Sequence, residues 1–138
     1  MKITDVETYV LLADNYDPNL TSSAQDTCLV IIKTDEGIEG YGECDTSPWV
    51  AKAFIESPGT HTMDQCVKDI LIGSDPLKID DLWSKIYVGT AMTGRRGAGV
   101  NAISAVDMAL WDIMGKYENK PVFELMGGKK QDEVIPYA

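Results

Sequence analysis

Histidine, arginine and clustered cysteine are scarce in this chain of 138 residues, and each scarcity excludes a class of chemistry. His61 is the only histidine, and no HExxH, CxxC, GxSxG, GxGxxG or phosphate-loop pattern is present, so the sites that those motifs build are not indicated. The three cysteines, Cys28, Cys44 and Cys66, are 16 and 22 residues apart, which suits neither a disulfide framework nor a zinc site. We expect an exposed His61 in a turn and buried, inert thiols.

Positive charge and long apolar runs are also lacking. The chain has 12 Lys and Arg against 22 Asp and Glu, a formal charge of −10. Because phosphate contacts need cations, nucleic acids and anionic membranes are poor partners for such a chain. No apolar stretch approaches about 20 residues, and the N-terminus carries Asp5 and no apolar signal core. The sequence therefore predicts a cytoplasmic protein without a membrane span or a nucleic-acid partner.

Strand patterns come first in the chain and helix patterns follow. Residues 3–13, 27–34 and 38–44 predict three strands, with a tight turn at 35–37 and a long polar loop at 14–25. Helical periodicity predicts helices at 48–56, 63–71, 79–88 and 100–118 and one turn at 122–126, with Ser47 as the N-cap of the first helix. This order predicts an α+β fold, a three-stranded antiparallel meander packed on one side by a helical bundle. Residues 134–138 form one more strand pattern with no later partner.

Arg95 and Arg96 are the only arginines, and they stand together in a glycine-rich loop before the longest predicted helix. Two guanidinium groups near a helix N-terminus favour binding of a carboxylate or a phosphate. The alternative is a salt bridge to the chain's own acids. The polar loop at 14–25 likewise is either a solvated loop or a lid.

Two further patterns leave alternatives open. Gly40 and Gly42, within one predicted strand, indicate either a twisted edge strand or close approach of another element. Asp107 falls beside the apolar stripe of the longest helix, where a structural hydrogen bond or ion pair is expected rather than catalysis.

Several segments carry a resemblance to a known family. They are AISAVDMALWDIMGK at residues 102–116, PVFELMGG at 121–128, TDEGIEGYGE at 34–43 and VIPYA at 134–138. Together they resemble the N-terminal, capping domain of the mandelate racemase/muconate lactonizing enzyme branch of the enolase superfamily. The resemblance implies a cap at residues 1–128, and at 129–138 a connection and the first strand of a (β/α) barrel that this sequence does not contain.

The resemblance also implies the chemistry of the longer protein. Members abstract the proton α to a carboxylate, and Mg²⁺ stabilises the enediolate that forms. The acid/base residues and metal ligands are expected in the barrel, so this chain is expected to hold no catalytic residue and no metal ligand and to be inactive alone. Lys129 and Lys130 are adjacent and precede the barrel strand, so they do not qualify as barrel bases. The implied partners are the chain's own barrel, a small carboxylate substrate and further copies in a homo-oligomer.

In this family two cap loops close over the barrel mouth and help to select the substrate. The expected substrate-binding residues are therefore Tyr16, Asn19, Thr46, Ser47, Trp49, Arg95 and Arg96. The polar loops and the arginine pair favour a dehydratase of acid sugars. A racemase, an epimerase or a cycloisomerase of the same superfamily is the alternative, and a non-catalytic binding or assembly module is the reading for an isolated chain.

Overall fold

The computed structural model describes residues 1–14, 17, 19, 26–45 and 47–136. Three strands come first, β1 (Ile3–Leu11), β2 (Thr27–Thr34) and β3 (Glu39–Cys44). Five helices follow, α1 (Pro48–Glu56), α2 (Val67–Leu71), α3 (Ile79–Gly89), α4 (Ala98–Glu118) and α5 (Val122–Leu125). The predicted α+β class is confirmed. Within the described part of the chain, no helix is long and apolar enough to cross a membrane.

The sheet has the order β1-β2-β3, and both pairings are antiparallel. Burial alternates strictly along β2, because successive side chains of a strand point to opposite faces. The inner face carries the apolar residues Ile3, Val6, Cys28, Val30 and Ile32, and these pack against the helices. The core therefore lies between one face of the sheet and the helical layer.

Helix α4 lies so close to β3 that only glycine fits at two strand positions. A Cβ atom added to Gly42 would stand 1.9 Å from the carbonyl oxygen of Ala105, and one added to Gly40 would stand 2.1 Å from that of Ala109. The missing side chains therefore let the two backbones meet. Of the two alternatives for these glycines, the close approach is the one observed.

A polar latch joins the exposed side of α4 to the edge of β3. The backbone N–H of Tyr41 donates to Asp112 Oδ2 at 2.9 Å, and Lys116 Nζ pairs with the same oxygen at 2.6 Å. Lys116 also donates to the carbonyl oxygen of Glu39 at 2.7 Å and stands 4.5 Å from the centroid of the Tyr41 ring. An edge strand exposes unpaired backbone groups, and this latch satisfies two of them.

Helix α1 is joined to β1 by a half-buried polar cluster. Lys52 Nζ donates to the carbonyl oxygen of Thr8 at 2.9 Å and pairs with Glu56 Oε1 at 2.7 Å, and the Thr8 hydroxyl donates to the same carboxylate. Burial raises the pKa of Glu56, but the hydrogen bonds from Lys52 and Thr8 outweigh it, so the net pKa is lowered. The cluster fixes the position of α1 on the sheet.

The predicted boundary of one helix is corrected, and the predicted C-terminal strand finds no partner among the described residues. The helix predicted at 63–71 begins only at Val67, because residues 60–64 form a turn in which Thr60 N–H donates to the carbonyl oxygen of Asp64. Residues 134–136 form no strand and do not join the sheet, and Ile135 is 93% exposed. An apolar strand needs a partner for its backbone groups, and the described chain provides none there. The division at residue 128 and the barrel strand stay predictions.

Candidate functional site

The two predicted lid loops leave the sheet at the same end. Leu11, the last residue of β1, pairs with Thr27, the first of β2, and Cys28 pairs with Cys44, the last of β3. The chain after β1 and the chain after β3 therefore depart from neighbouring points. Helix α1 begins there too, at Pro48.

The loop that joins α3 to α4, residues 90–97, reaches this same end, and we call it the arginine loop. Because Ala105 lies against Gly42 and Ala109 against Gly40, α4 runs antiparallel to β3. Four helical residues advance about 6 Å, close to the advance of two strand residues. Four residues of α4 therefore correspond to two residues of β3 along their shared axis. By this spacing, the first turn of α4 and the loop before it lie beyond Cys44, the last residue of β3. The fold thus gathers three segments at what we call the loop end: the chain after β1, the chain after β3 and the loop before α4.

The arginine loop is anchored at its base and open at its tip. The backbone N–H of Met92 donates to the carbonyl oxygen of Met63 at 2.9 Å, and the Thr93 hydroxyl donates to Asp64. At the other side, a Cβ on Gly99 would stand 2.3 Å from the carbonyl oxygen of Gly94, so the loop closes tightly on the start of α4. The two arginines lie between these fixed points.

Both Arg95 and Arg96 are exposed, and neither makes a hydrogen bond or ion pair within the described residues. The expected alternative, a salt bridge to the chain's own acids, is therefore not observed. Each guanidinium offers five N–H donors and no acceptor. Together they can hold a carboxylate or phosphate at the loop end.

Ser47 and Trp49 flank the start of α1 at the loop end. Ser47 occupies the N-cap position, but its φ is +34° and its hydroxyl makes no capping hydrogen bond, so the predicted side-chain cap is wrong. A positive φ moves the Ser47 hydroxyl out of the extended geometry that capping needs. Trp49 is 63% exposed, an unusual position for so large an apolar side chain. Both residues are accessible.

The predicted residues of the first loop are only partly described. Asn19 is exposed, and its backbone N–H and its side-chain amide both donate to Asp17 Oδ1 at 2.9 Å. The hydrogen bonds from Asn19 lower the pKa of Asp17. Tyr16, and Thr46 in the second loop, lie outside the described residues. The structure therefore brings Ser47, Trp49 and the arginine pair to the loop end.

The three cysteines and the histidine are placed as the sequence predicts. All three cysteines are buried as free thiols, as expected, and burial raises the pKa of Cys28 to about 11. His61 is exposed, and its Nδ1 accepts from the backbone N–H of Met63 at 3.2 Å. Within the described part of the chain, no three His, Cys, Asp or Glu side chains are close enough to hold a metal ion.

Asp107 departs from its expectation. Within residues 1–14, 17, 19, 26–45 and 47–136, its half-buried carboxylate makes no hydrogen bond and no ion pair. Burial raises its pKa, and the negative charge of Asp80 raises it further. The expected structural hydrogen bond or ion pair is therefore not observed in the part of the chain that the structure describes.

Sequence reasoning also missed Asp64, which organises the base of the arginine loop. Its carboxylate accepts from the hydroxyls of Thr60, at 2.5 Å, and of Thr93, and these two bonds lower its pKa. The Thr60 contact follows from a local turn, but Thr93 is 29 residues away. Only the contact between Thr60 and Asp64 could have been predicted from the sequence, because these residues are four positions apart.

Comparison with known proteins decides the family. The description "Mandelate racemase / muconate lactonizing enzyme, N-terminal domain" matches residues 15–127. The chain belongs to this family. The resemblance found in the sequence and the match with an enolase-type capping domain are therefore confirmed.

Several relatives of this family member are sugar-acid enzymes by name. An arabinonate dehydratase of Saccharolobus solfataricus is 34% identical over 94% of the chain and 35% of its own length. A D-galactarolactone cycloisomerase of Agrobacterium fabrum is 34% identical over 100% of the chain and 35% of its own length. The crystal structure of the 3,6-anhydro-D-galactonate cycloisomerase from Zobellia galactanivorans is 33% identical, with a TM-score of 0.78 over 94% of the chain and 33% of that protein. The chain thus spans about a third of the length of these relatives.

Proposed function

We propose that this chain is the capping domain of a longer enzyme that abstracts the proton α to the carboxylate of a sugar acid, with dehydration as the reaction. Three observations support the proposal. The chain belongs to a family whose relatives include sugar-acid dehydratases, it corresponds to about a third of their length, and its loop end carries two exposed arginines that make no ion pair within the described residues. The last of these carries the assignment of a carboxylate substrate.

The proposed reaction is an elimination of water. A base removes the proton from the carbon next to the carboxylate, the hydroxyl on the following carbon leaves as water, and the enol that remains tautomerises to a 2-keto acid. The groups that move these protons are expected in the barrel. The loop end of this chain binds the far part of the substrate and excludes water from the site, which strengthens every electrostatic contact inside it.

Magnesium belongs to this proposal only through the family. When bound in such enzymes, the ion stabilises the enediolate by its charge. The carboxylates of this chain do not fit a magnesium site, because within the described residues they do not gather in threes. We therefore assign the metal to the barrel and route no step through residues of this chain.

The role of the arginine pair is to hold an anionic or hydroxyl-rich end of the substrate. Arg95 and Arg96 are exposed and carry no internal ion pair within the described residues, so binding of a substrate breaks no existing salt bridge. Hydrogen bonds to a charged group contribute about 1.5–3 kcal/mol. Loss of one guanidinium is therefore expected to raise KM about tenfold or more.

The experiment that tests the function uses the longer protein. It is incubated with Mg²⁺ and a panel of sugar acids, and formation of a 2-keto acid is measured. Arg95→Ala and Arg96→Ala are compared with Lys85→Ala, which removes an exposed cation from α3 and serves as the matched control. A raised KM in the arginine variants alone supports the role of the loop end. Absence of turnover on every sugar acid refutes the dehydratase assignment.

A cycloisomerase is the second candidate, because two of the similar proteins are cycloisomerases of sugar-acid compounds by name. Exchange of the α-proton for solvent deuterium without loss of water favours a cycloisomerase, a racemase or an epimerase over a dehydratase. A homo-oligomer and a cytoplasmic location remain part of the proposal. An intact mass near 15.1 kDa for the natural protein would instead favour an isolated binding module.

A further inference from the structure

The turn that precedes α2 presents one carboxylate to the arginine loop. The backbone N–H of Thr60 donates to the carbonyl oxygen of Asp64 at 2.8 Å, and the Asp64 N–H donates to that of His61 at 3.0 Å. The Thr60 hydroxyl donates to Asp64 Oδ2 at 2.5 Å. These three bonds fix both the backbone and the side chain of Asp64. Its other carboxylate oxygen, Oδ1, accepts from a residue outside the turn.

The same turn is attached through the backbone to the end of α3 and to the arginine loop. The N–H of Gln65 donates to the carbonyl oxygen of Gly89 at 2.8 Å, and the N–H of Met92 donates to that of Met63 at 2.9 Å. The turn is therefore held in place on both sides of Asp64. It provides a fixed support for the residues that lead into the arginines.

Thr93 is the last residue of the arginine loop that this support reaches. Its hydroxyl donates to Asp64 Oδ1, and we call this hydrogen bond the loop tether. The next residue, Gly94, is in close contact with the start of α4, because a Cβ on Gly99 would stand 2.3 Å from the Gly94 carbonyl oxygen. Residues 95–98 lie between these two glycines and include both arginines. A shift of Thr93 therefore reaches the arginines within two or three residues.

The arginines have no support of their own. Arg95 and Arg96 are exposed and make no hydrogen bond or ion pair within the described residues. Gly97 follows with a φ of +59° and nothing within 4 Å of an added Cβ, so packing does not hold the tip of the loop there. The direction in which the two guanidinium groups leave the protein is therefore set by the backbone of the loop. Fixing that backbone before binding reduces the entropy that binding costs.

We propose that the loop tether positions the arginine pair for an anionic group of the substrate, which makes Asp64 a positioning residue of the candidate site. Asp64 acts through the arginines and needs no contact of its own with the substrate. A carboxylate suits this task because a hydrogen bond to a charged acceptor is stronger than one between neutral groups. The hydroxyls of Thr60 and Thr93 lower the pKa of Asp64, so it is charged at neutral pH. The inference rests on the proposed function in one respect, because it takes the arginine pair as substrate-binding.

The first test measures how often the arginine loop opens in the 138-residue chain. Arg95 and Arg96 are the only arginines, so a protease specific for arginine can cut this chain only in that loop. Cleavage requires local opening, and its rate follows the population of the open form. Thr93→Val removes the hydroxyl and keeps the shape of the side chain, so cleavage is expected to be about fivefold faster than in the parent. Thr93→Ser keeps the hydroxyl and is expected to restore slow cleavage.

Thr62→Val is the matched control for the loss of a hydroxyl. Thr62 is an exposed threonine of the same turn, and its hydroxyl makes no hydrogen bond within the described residues, so cleavage at the parent's rate is expected. Asp64→Ala removes the other partner of the loop tether. Adding Thr93→Val to Asp64→Ala is expected to speed cleavage no further, because two residues that act through one bond are not additive. Circular dichroism checks that each variant is folded.

The second test uses the longer protein and the kinetics of its reaction with a sugar acid. Thr93→Val is expected to raise KM about threefold to fivefold with kcat unchanged, because it weakens the binding of the far part of the substrate. In a protein that already carries Arg95→Ala and Arg96→Ala, the same substitution is expected to leave KM unchanged, because the loop tether acts through the arginines. A general loss of stability would instead act equally in both backgrounds.

The outcomes separate this inference from the proposed function. Cleavage of Thr93→Val at the parent's rate overturns the loop tether, and so does equal acceleration by Thr62→Val. A rise in KM that persists without the arginines, or a fall in kcat with KM unchanged, overturns the positioning role. Faster cleavage of Thr93→Val together with no turnover of any sugar acid by the parent refutes the proposed function, and the support of the loop by Asp64 stands. Unchanged cleavage together with full turnover refutes the support and leaves the proposed function standing.

Discussion

Replacing Gly42 with alanine tests the closest contact in the fold. The added Cβ would stand 1.9 Å from the carbonyl oxygen of Ala105 and 2.8 Å from the backbone nitrogen of Ala109. Ordinary contacts of a Cβ begin near 3.4 Å. The atoms in the way belong to the helix backbone, so no side chain can rotate to relieve the clash, and α4 must move away from β3.

The magnitude follows from the two opposing effects of the substitution. Overpacking a core typically costs about 1–3 kcal/mol of stability. Alanine in place of glycine also lowers the conformational entropy of the unfolded chain, which stabilises the fold by at most about 1 kcal/mol where no strain arises. Because the obstruction is backbone, we expect the upper part of the first range, a loss of about 2–3 kcal/mol. At a typical urea dependence this lowers the midpoint of unfolding by roughly 1–2 M.

The assay is equilibrium unfolding in urea, with Gly37→Ala as the control. Gly37 has a φ of +78° and nothing within 4 Å of an added Cβ, so alanine there meets strain without a clash and should cost about 1–2 kcal/mol. The reasoning is refuted if Gly42→Ala destabilises the chain no more than Gly37→Ala does.

Three further predictions concern single groups. Asp112→Ala should lower stability by about 1–2 kcal/mol, because the Tyr41 N–H loses its acceptor, and urea unfolding measures it. The three buried thiols, among them Cys28 with its pKa of about 11, should react with a thiol reagent at neutral pH only after unfolding; rapid labelling of the native chain would contradict this. Burial and then Asp80 raise the pKa of Asp107, so its charged form opposes folding and stability falls as pH rises through the raised pKa. Asp107→Asn should therefore stabilise the 138-residue chain at pH 7 and lose that advantage below about pH 3. An equal effect at both pH values in thermal melts would exclude the charge as the cause.

Much of the fold could be predicted because its signals are local. Strand-forming composition predicted β2 at 27–34 without error, and helical periodicity placed the end of α4 at Glu118. The start of α2 was misplaced, because residues 60–64 form a local turn that is also bonded to Thr93, a residue distant in sequence. The sequence motifs were also sufficient for the family, which the comparisons confirm.

The candidate site was predictable as a set of residue types and not as an arrangement. Two adjacent arginines between glycines are visible in the sequence, but their lack of an internal partner is a property of the fold. The same holds for Asp107, whose place beside the apolar stripe suggested a hydrogen bond that the described residues do not supply. Pairing depends on which elements meet, and a pattern along one helix does not contain that information.

The arginines of this domain are used differently from its lysines, which argues that they answer to a partner that is not part of the chain. Lysines such as Lys33, Lys52 and Lys116 are used for internal ion pairs, whereas both arginines, whose planar groups bind carboxylates best, are left open at the loop end within the described residues. An acidic chain that needed only stability would pair its arginines. Leaving them open suits an anion that arrives and departs, as a substrate does.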